Sequence, residues 1–190
     1  MRPSYNYMPP EQFTQVLQAI PRLGIRKWKD SDIGMLFKIC YWCGLRINEG
    51  IRLKAEDFDL DMKRVHLGIT KTTKGDKGTI PDLFLDELSA YLLGRHGELF
   101  PKLTYIVVYH WLKRLGKMLD IPAWTTPQSQ TGEKTVAHIY RKSIGKDMLY
   151  GTHGDKIPLN IIQKKLRHSD LNTTSQYLKV GDEDVVATGW

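Results

Sequence analysis

The sequence predicts a mainly α-helical domain with one small antiparallel β-sheet, an α+β fold, on three observations. Apolar residues recur at helical spacing through most of the chain, as at Phe13, Val16, Leu17 and Ile20. Alternation of apolar and polar residues is confined to the neighbourhood of Val65 and Leu67, and a second extended stretch at Thr79 and Ile80 follows a Lys- and Gly-rich connection. The 190 residues, 41% of them hydrophobic, suffice for one domain with a sizeable core and offer no strong boundary for a second.

Taken in order, residues 1–8 read as a linker. Pro9, Pro10 and Glu11 open the first helix and Pro21 ends it. Asp30 or Ser31 is the expected cap of the next helix. Its buried stripe is Ile33, Leu36, Phe37 and Cys40, and Gly44 is its left-handed stop. Arg46 follows at a helix–helix junction, where a side chain can reach out of the packed body, and Glu49, one turn on, is placed to orient it. Residues 57–61 read as a turn. The two strands enclose ITKTTKGDKG, a hairpin tip carrying Lys71, Lys74 and Lys77, and Pro81 closes the second strand.

Residues 83–94 are helical, with Leu85, Leu88 and Leu92 on one face. Residues 104–119 form another helix, with Val108, Trp111, Leu112, Leu115 and Leu119 inside. Residues 121–135, rich in Pro, Thr, Gln and Gly, read as a loop. On the helix at 136–150, His138 and Arg141 stand at i and i+3 and share a face. After a loop at 151–156 comes a helix at 157–166, with Pro158 at its first position and Ile161, Ile162 and Leu166 on one face. SDLNTT then separates His168 from Tyr177, and Asn172 or the threonines after it are the expected caps of a last short helix. So His168 ends one helix and Tyr177 rides the next, and a tight turn aims both at one point. Residues 181–190 are a short acidic tail ending in Trp190.

The formal charge of +7 on a compact domain suits an anionic partner, of which nucleic acid is the commonest. No apolar run approaches the length that crosses a bilayer, and the polar, Pro-rich start is unlike a secretory signal; a cytoplasmic protein with no membrane partner is expected. Cys40 and Cys43 form CYWC, but no second pair completes a zinc site. Both lie in an apolar helical pattern, so at least one is expected to be a core hydrophobe, and no metal is expected.

The polar positions left over are Arg46, a hairpin lysine, His138, Arg141, His168 and Tyr177. GLRINEG around Arg46, TKGDKGTIP around Lys74, HIYR at 138–141 and RHSDLNTTSQY at 167–177 resemble, in order and spacing, the tyrosine recombinases of the phage-integrase family. The resemblance covers nearly the whole chain, from about Met8 to Val180. It implies that residues 9–180 are the family's catalytic domain and that the family's N-terminal core-binding domain is absent here. It also implies a site-specific recombinase of double-stranded DNA, an integrase of a viral or plasmid element, monomeric in solution and a homotetramer on DNA.

The resemblance also implies the roles. The Tyr177 hydroxyl attacks a DNA phosphodiester, leaving a 3′-phosphotyrosyl link and a free 5′-hydroxyl; a second 5′-hydroxyl reverses the step. The bond energy stays in the phosphotyrosine, so no metal, ATP or other cofactor is implied, and the protein must supply the positive charge. Two guanidinium forks, Arg46 and Arg141, suit a phosphorane-like transition state. A tyrosine with a reference pKa of about 10 needs a proton acceptor, His138. The leaving 5′-oxygen needs a proton from Lys74, with Lys71 as the fallback. His168 hydrogen-bonds a non-bridging oxygen.

Three residues depart from the family pattern. Arg167 stands where the family usually has Gly, and either adds a phosphate contact or perturbs the turn. Lys142 stands where many members have His. Gly50 replaces a usual Leu, an exchange expected to loosen the packing behind Arg46. A type IB topoisomerase-like enzyme and a non-catalytic DNA-binding module are the alternatives. The HxxR pair and the His168–Tyr177 spacing of nine weigh against the first, and the intact six residues against the second.

Overall fold

The structure is a computed structural model that describes residues 7–68, 76–125 and 135–178, without the side chains of 122–123, 135–137 and 176–177. In chain order it contains α1 (Pro10–Ala19), α2 (Asp30–Trp42), α3 (Ile47–Gly50), β1 (Phe58–Asp59), β2 (Arg64–His66), β3 (Lys77–Thr79), α4 (Asp82–Leu92), α5 (Tyr105–Met118), α6 (Pro122–Thr125), α7 (Thr135–Tyr150), α8 (Leu159–Leu166) and α9 (Leu171–Leu178). It is a helical body with one small antiparallel sheet, as the sequence predicts.

Helix α2 lies at the centre. Ile33, Met35, Leu36, Phe37, Ile39, Cys40 and Tyr41 are all buried, and residues so closely spaced cover most of the helix circumference. Both cysteines are free and buried, so both serve as core hydrophobes. Its N-cap is Lys29, not Asp30 or Ser31; Asp30 and Asp32 sit in the first turn, where carboxylates oppose the helix dipole. At its other end Gly44 adopts φ +63°, its N–H bonds Tyr41 O at 3.1 Å and the Leu45 N–H bonds Cys40 O at 2.9 Å. That pair is a Schellman stop, and it delivers the chain directly into α3. The first α-helix ends at Ala19, just before Pro21, and a 3₁₀ turn at Ile20–Leu23 follows it.

Among the described residues the sheet has three strands in the order β1-β2-β3, all antiparallel. The extra strand, β1, falls inside the segment that reads as a turn, because two residues are too few to show alternation. Strand β3 begins at Lys77, before the predicted Thr79. Gly78 pairs with Val65, and a Cβ there would stand 2.7 Å from Val65 Cγ1, so the close pairing needs glycine.

Helix α4 buries Phe84 and Leu88, with Leu85 and Leu92 half-covered, and α5 buries Val108, Trp111, Leu112 and Leu115. Part of the loop predicted at 121–135 is helix α6, and its Trp124 is fully buried. Gly116 of α5 admits it: a Cβ there would lie 2.7 Å from Trp124 Cβ.

Helix α7 packs beside α2 and is buried from Ile139 to Asp147 although Arg141, Lys142, Ser143, Lys146 and Asp147 are polar. The Asp147 carboxylate accepts from the hydroxyls of Tyr41 and Tyr7, the latter at 2.7 Å, and Ser143 Oγ accepts from the Met8 N–H at 3.0 Å. Tyr7 and the buried Met8, in the segment that reads as a linker, are therefore tied to α7. Helix α8 buries Ile162 and Leu166 but leaves Ile161 exposed, and Pro158 is its N-cap, one residue before the predicted position. Helix α9 is capped by Asp170, not by Asn172 or the threonines: the Thr173 N–H donates to Asp170 Oδ1 at 2.7 Å. A Cβ on Gly145 would lie 2.8 Å from Leu178 Cδ2 and 3.1 Å from Leu166 Cδ1, so both last helices dock closely on α7 there.

Candidate active site

Arg46 is the N-cap of α3, with extended backbone at φ −73° and ψ 149°. Glu49, one turn on, accepts from the Arg46 N–H at 2.8 Å and from Arg46 Nη1 at 2.9 Å. One buried carboxylate thus caps the helix and aims the guanidinium of a side chain that remains 37% exposed. The orienting role read for Glu49 from its position has this geometry.

Arg141 reaches the same turn from α7. It is fully buried, and its Nη1 donates to Gly44 O at 2.9 Å. The left-handed stop of α2 thereby holds one guanidinium and, two residues later, presents the other. His138, one turn before Arg141, is half-buried. Burial first, then the charges of Arg46, Arg141 and Lys142, push it down to about 4. His168, in the turn between α8 and α9, is also held at about 4, by burial and then by Arg141, Arg46 and Arg167. Both imidazoles are neutral at pH 7, and both lie within the field of the same two arginines. Lys142 is buried on α7 beside them.

His168 Nδ1 pairs with Thr174 Oγ1 at 3.0 Å, which ties the turn to buried Thr174 on α9. Tyr177 lies one helical turn after Thr174, in the last turn of α9. Arg167, before His168, has φ +53° and a side chain only 5% exposed. Its Nη2 donates to Glu49 Oε2 at 2.6 Å, and its Nε lies 3.1 Å from Asp76 Oδ2. Burial raises the Glu49 pKa, but Arg167, the Arg46 N–H, Arg141 and Arg46 together hold it below the usual carboxylate range.

Arg46, Glu49, His138, Arg141, Lys142, Arg167 and His168 are thus drawn together from three segments of the chain. Lys71 and Lys74 lie outside the described residues; the arms of their connection meet where the Leu67 N–H donates to Asp76 O at 2.8 Å. The expectation that Gly50 loosens the packing is overturned. A Cβ there would stand 2.6 Å from Cys40 Sγ and 3.1 Å from Leu36 Cδ1, so side chains of α2 already fill the space. Sequence reading missed Thr174, Asp76 and the Gly44 carbonyl. Thr174 and Asp76 sit inside the quoted motifs, but a motif does not disclose which neighbour a side chain bonds.

A sequence profile of the phage integrase family matches residues 6–184. Tyrosine recombinase XerA of Thermococcus kodakarensis is 30% identical over 173 residues, covering 90% of this chain and 56% of that protein. Tyrosine recombinase XerD of Neisseria meningitidis is 29% identical over 176 residues, covering 87% and 57%. The chain therefore spans about half the length of the curated relatives it matches. Among solved structures, XerA recombinase superposes with a TM-score of 0.69 at 20% identity, over 99% of this chain and 64% of that one. The XerH site-specific recombinase bound to palindromic difH substrate gives 0.68 at 20%, over 97% and 52%. The catalytic domain of bacteriophage HP1 integrase gives 0.64 at 18%, over 96% and 92%. The chain belongs to the phage integrase family, the tyrosine recombinases, and has the fold of their catalytic domain.

Proposed function

We propose that this chain is the catalytic domain of a site-specific recombinase that cleaves and rejoins double-stranded DNA through a 3′-phosphotyrosyl intermediate on Tyr177. The observation that carries this reading is the fixed pair of guanidinium groups, Arg46 on Glu49 and Arg141 on Gly44 O, with two neutral histidines in their field. Two guanidinium groups fixed side by side suit the non-bridging oxygens of one phosphate.

Arg46 and Arg141 bind the non-bridging oxygens and stabilise the charge that builds on phosphorus. Each such donor is worth about 10²–10³ in rate. Neutral His138 accepts the Tyr177 proton as the hydroxyl oxygen bonds to phosphorus. The bond from phosphorus to the 5′-oxygen breaks, and Lys74, or Lys71 in its place, gives that oxygen a proton. Phosphate charge near His168 favours its protonated form, which keeps the Thr174 contact and presents Nε2–H to a non-bridging oxygen. Rejoining runs the same steps backwards with a new 5′-hydroxyl. The active assembly is a homotetramer on DNA built from monomers in solution.

The test is a nicked suicide duplex, or a random pool of them, incubated with the protein in EDTA without ATP. A denaturant-resistant protein–DNA adduct is expected, and Tyr177→Phe abolishes it. An adduct that persists in the variant, or that needs a divalent metal, contradicts the proposal. Efficient relaxation of a site-free plasmid would instead favour a topoisomerase.

A further inference from the structure

Arg167 occupies a position that its backbone disfavours. Its N–H bonds Lys164 O at 3.1 Å and the His168 N–H bonds Gln163 O at 3.1 Å, a second Schellman stop with Arg167 at φ +53°. Glycine takes that conformation freely, whereas a side chain there costs about 1 kcal/mol. The guanidinium offsets that strain by its contacts. It bridges two carboxylates from distant parts of the chain: Glu49, which holds Arg46, and Asp76, which closes the arms of the β2–β3 connection. A neighbour reinforces the join, since Lys165 Nζ donates to Thr79 O at 2.7 Å, at the far end of β3. Two cations at the end of α8 therefore hold both ends of β3.

We propose that Arg167 is a positioning residue, a clamp that fixes the base of the β2–β3 hairpin against the Arg46–Glu49 pair, so that seating of the hairpin and alignment of Arg46 occur together. The inference rests on the recombinase reading for its effect on chemistry, but the clamp itself does not. Three segments meet at one guanidinium: the turn carrying His168, the helix end carrying Arg46, and the hairpin whose connection carries Lys71 and Lys74 in sequence. The guanidinium hydrogen-bonds Glu49 through Nη2 and sets Nε within ion-pair distance of Asp76, a reach that one lysine ammonium, a point charge, does not share.

A direct phosphate contact by Arg167 is the competing role, and Asp76→Asn separates the two. That substitution removes a negative charge near the DNA, so a phosphate-contact role predicts unchanged or faster cleavage. The clamp predicts slower cleavage. Arg167→Gly, Arg167→Lys, Asp76→Asn and the Arg167→Gly/Asp76→Asn double variant are compared in the full chain. Hydrogen exchange is read at residues 64–67 and 77–80, with α2 as the internal reference. Single-turnover adduct formation on the nicked duplex is read at saturating protein, and DNA affinity is read across salt in a Tyr177→Phe background.

The clamp predicts exchange several-fold faster in the hairpin arms of each single variant, with α2 unchanged. It predicts cleavage slower by roughly tenfold or more, of the order that a small misplacement produces. Affinity stays within about twofold, and the double variant is no worse than the poorer single one. Unchanged hairpin exchange in both Arg167→Gly and Asp76→Asn would overturn the clamp. So would loosened arms with wild-type cleavage. A salt slope reduced by about one phosphate contact in Arg167→Gly, with Asp76→Asn cleaving normally, would assign Arg167 to the DNA instead. If the wild-type chain forms no adduct, the catalytic reading fails, and the exchange measurement still decides the clamp.

Discussion

Arg141 Nη1 donates to the carbonyl oxygen of Gly44 at 2.9 Å across 97 residues of sequence. The turn that ends α2 is thus an anchor for a fully buried cation. Arg141→Lys keeps the charge and loses the fork, so single-turnover cleavage should fall by about 10²–10³ with DNA affinity largely kept. Gly44→Ala strains the φ +63° turn and sets a Cβ 3.4 Å from Leu166 Cδ2. It should lower stability by about 1–2 kcal/mol in urea denaturation and slow cleavage as well.

The histidines make stability depend on pH. His138 and His168 are held at about 4 in the folded chain, chiefly by burial and then by the arginine charges. Unfolded, each titrates near its ordinary value of about 6.5. Between about pH 4 and 6.5 the unfolded chain binds more protons, so stability rises with pH across that window and falls as pH drops through it. A bound phosphate raises both pKa values. DNA binding near pH 5.5 should therefore take up protons, seen as a difference in calorimetric heat between buffers of unlike ionisation enthalpy. His138→Gln and His168→Gln should each reduce the uptake, and no uptake in the wild-type chain would contradict this assignment.

Asp170 is the cap on which the eight-residue α9 depends. So short a helix has little intrinsic stability. Asp170→Ala should cost about 1 kcal/mol and slow adduct formation, while Asp170→Asn, an equally good cap, should do neither. Equal behaviour of the two variants in thermal melts would remove the cap from the argument for how Tyr177 is held.

Gly50 predicts a compensated pair. Gly50→Ala sets a Cβ against Cys40 Sγ and Leu36 Cδ1 and should destabilise by about 1–3 kcal/mol despite the better helix propensity of alanine. Cys40→Ala vacates the nearer contact. A double-mutant cycle should return a favourable coupling, of at least about 0.5 kcal/mol.

The sequence made the helical periods, the Gly44 stop and the order of the four motifs legible, because spacing and turn chemistry are local. It concealed β1, which is too short to alternate, and α6, whose Pro- and Thr-rich context masks the buried Trp124. Helix α7 defeats periodicity because it is buried while carrying charge, as at Asp147 and Lys142. At the site, Arg46, His138, Arg141 and His168 stood out by type and spacing. The Arg167 clamp did not, since nothing in RHSDLNTTSQY reveals that its first residue reaches Glu49 and Asp76.

The most direct measurement is mass mapping of the adduct. The covalent complex formed in EDTA is digested with trypsin and nuclease, and the peptide that retains a nucleotide is sequenced. The expected result is residues 168–179, released by cleavage after Arg167 and Lys179, with the nucleotide joined through its 3′-phosphate to Tyr177. A nucleotide on any other peptide, or a link through a 5′-phosphate, would contradict the assignment of Tyr177 as the nucleophile of a DNA-rejoining reaction.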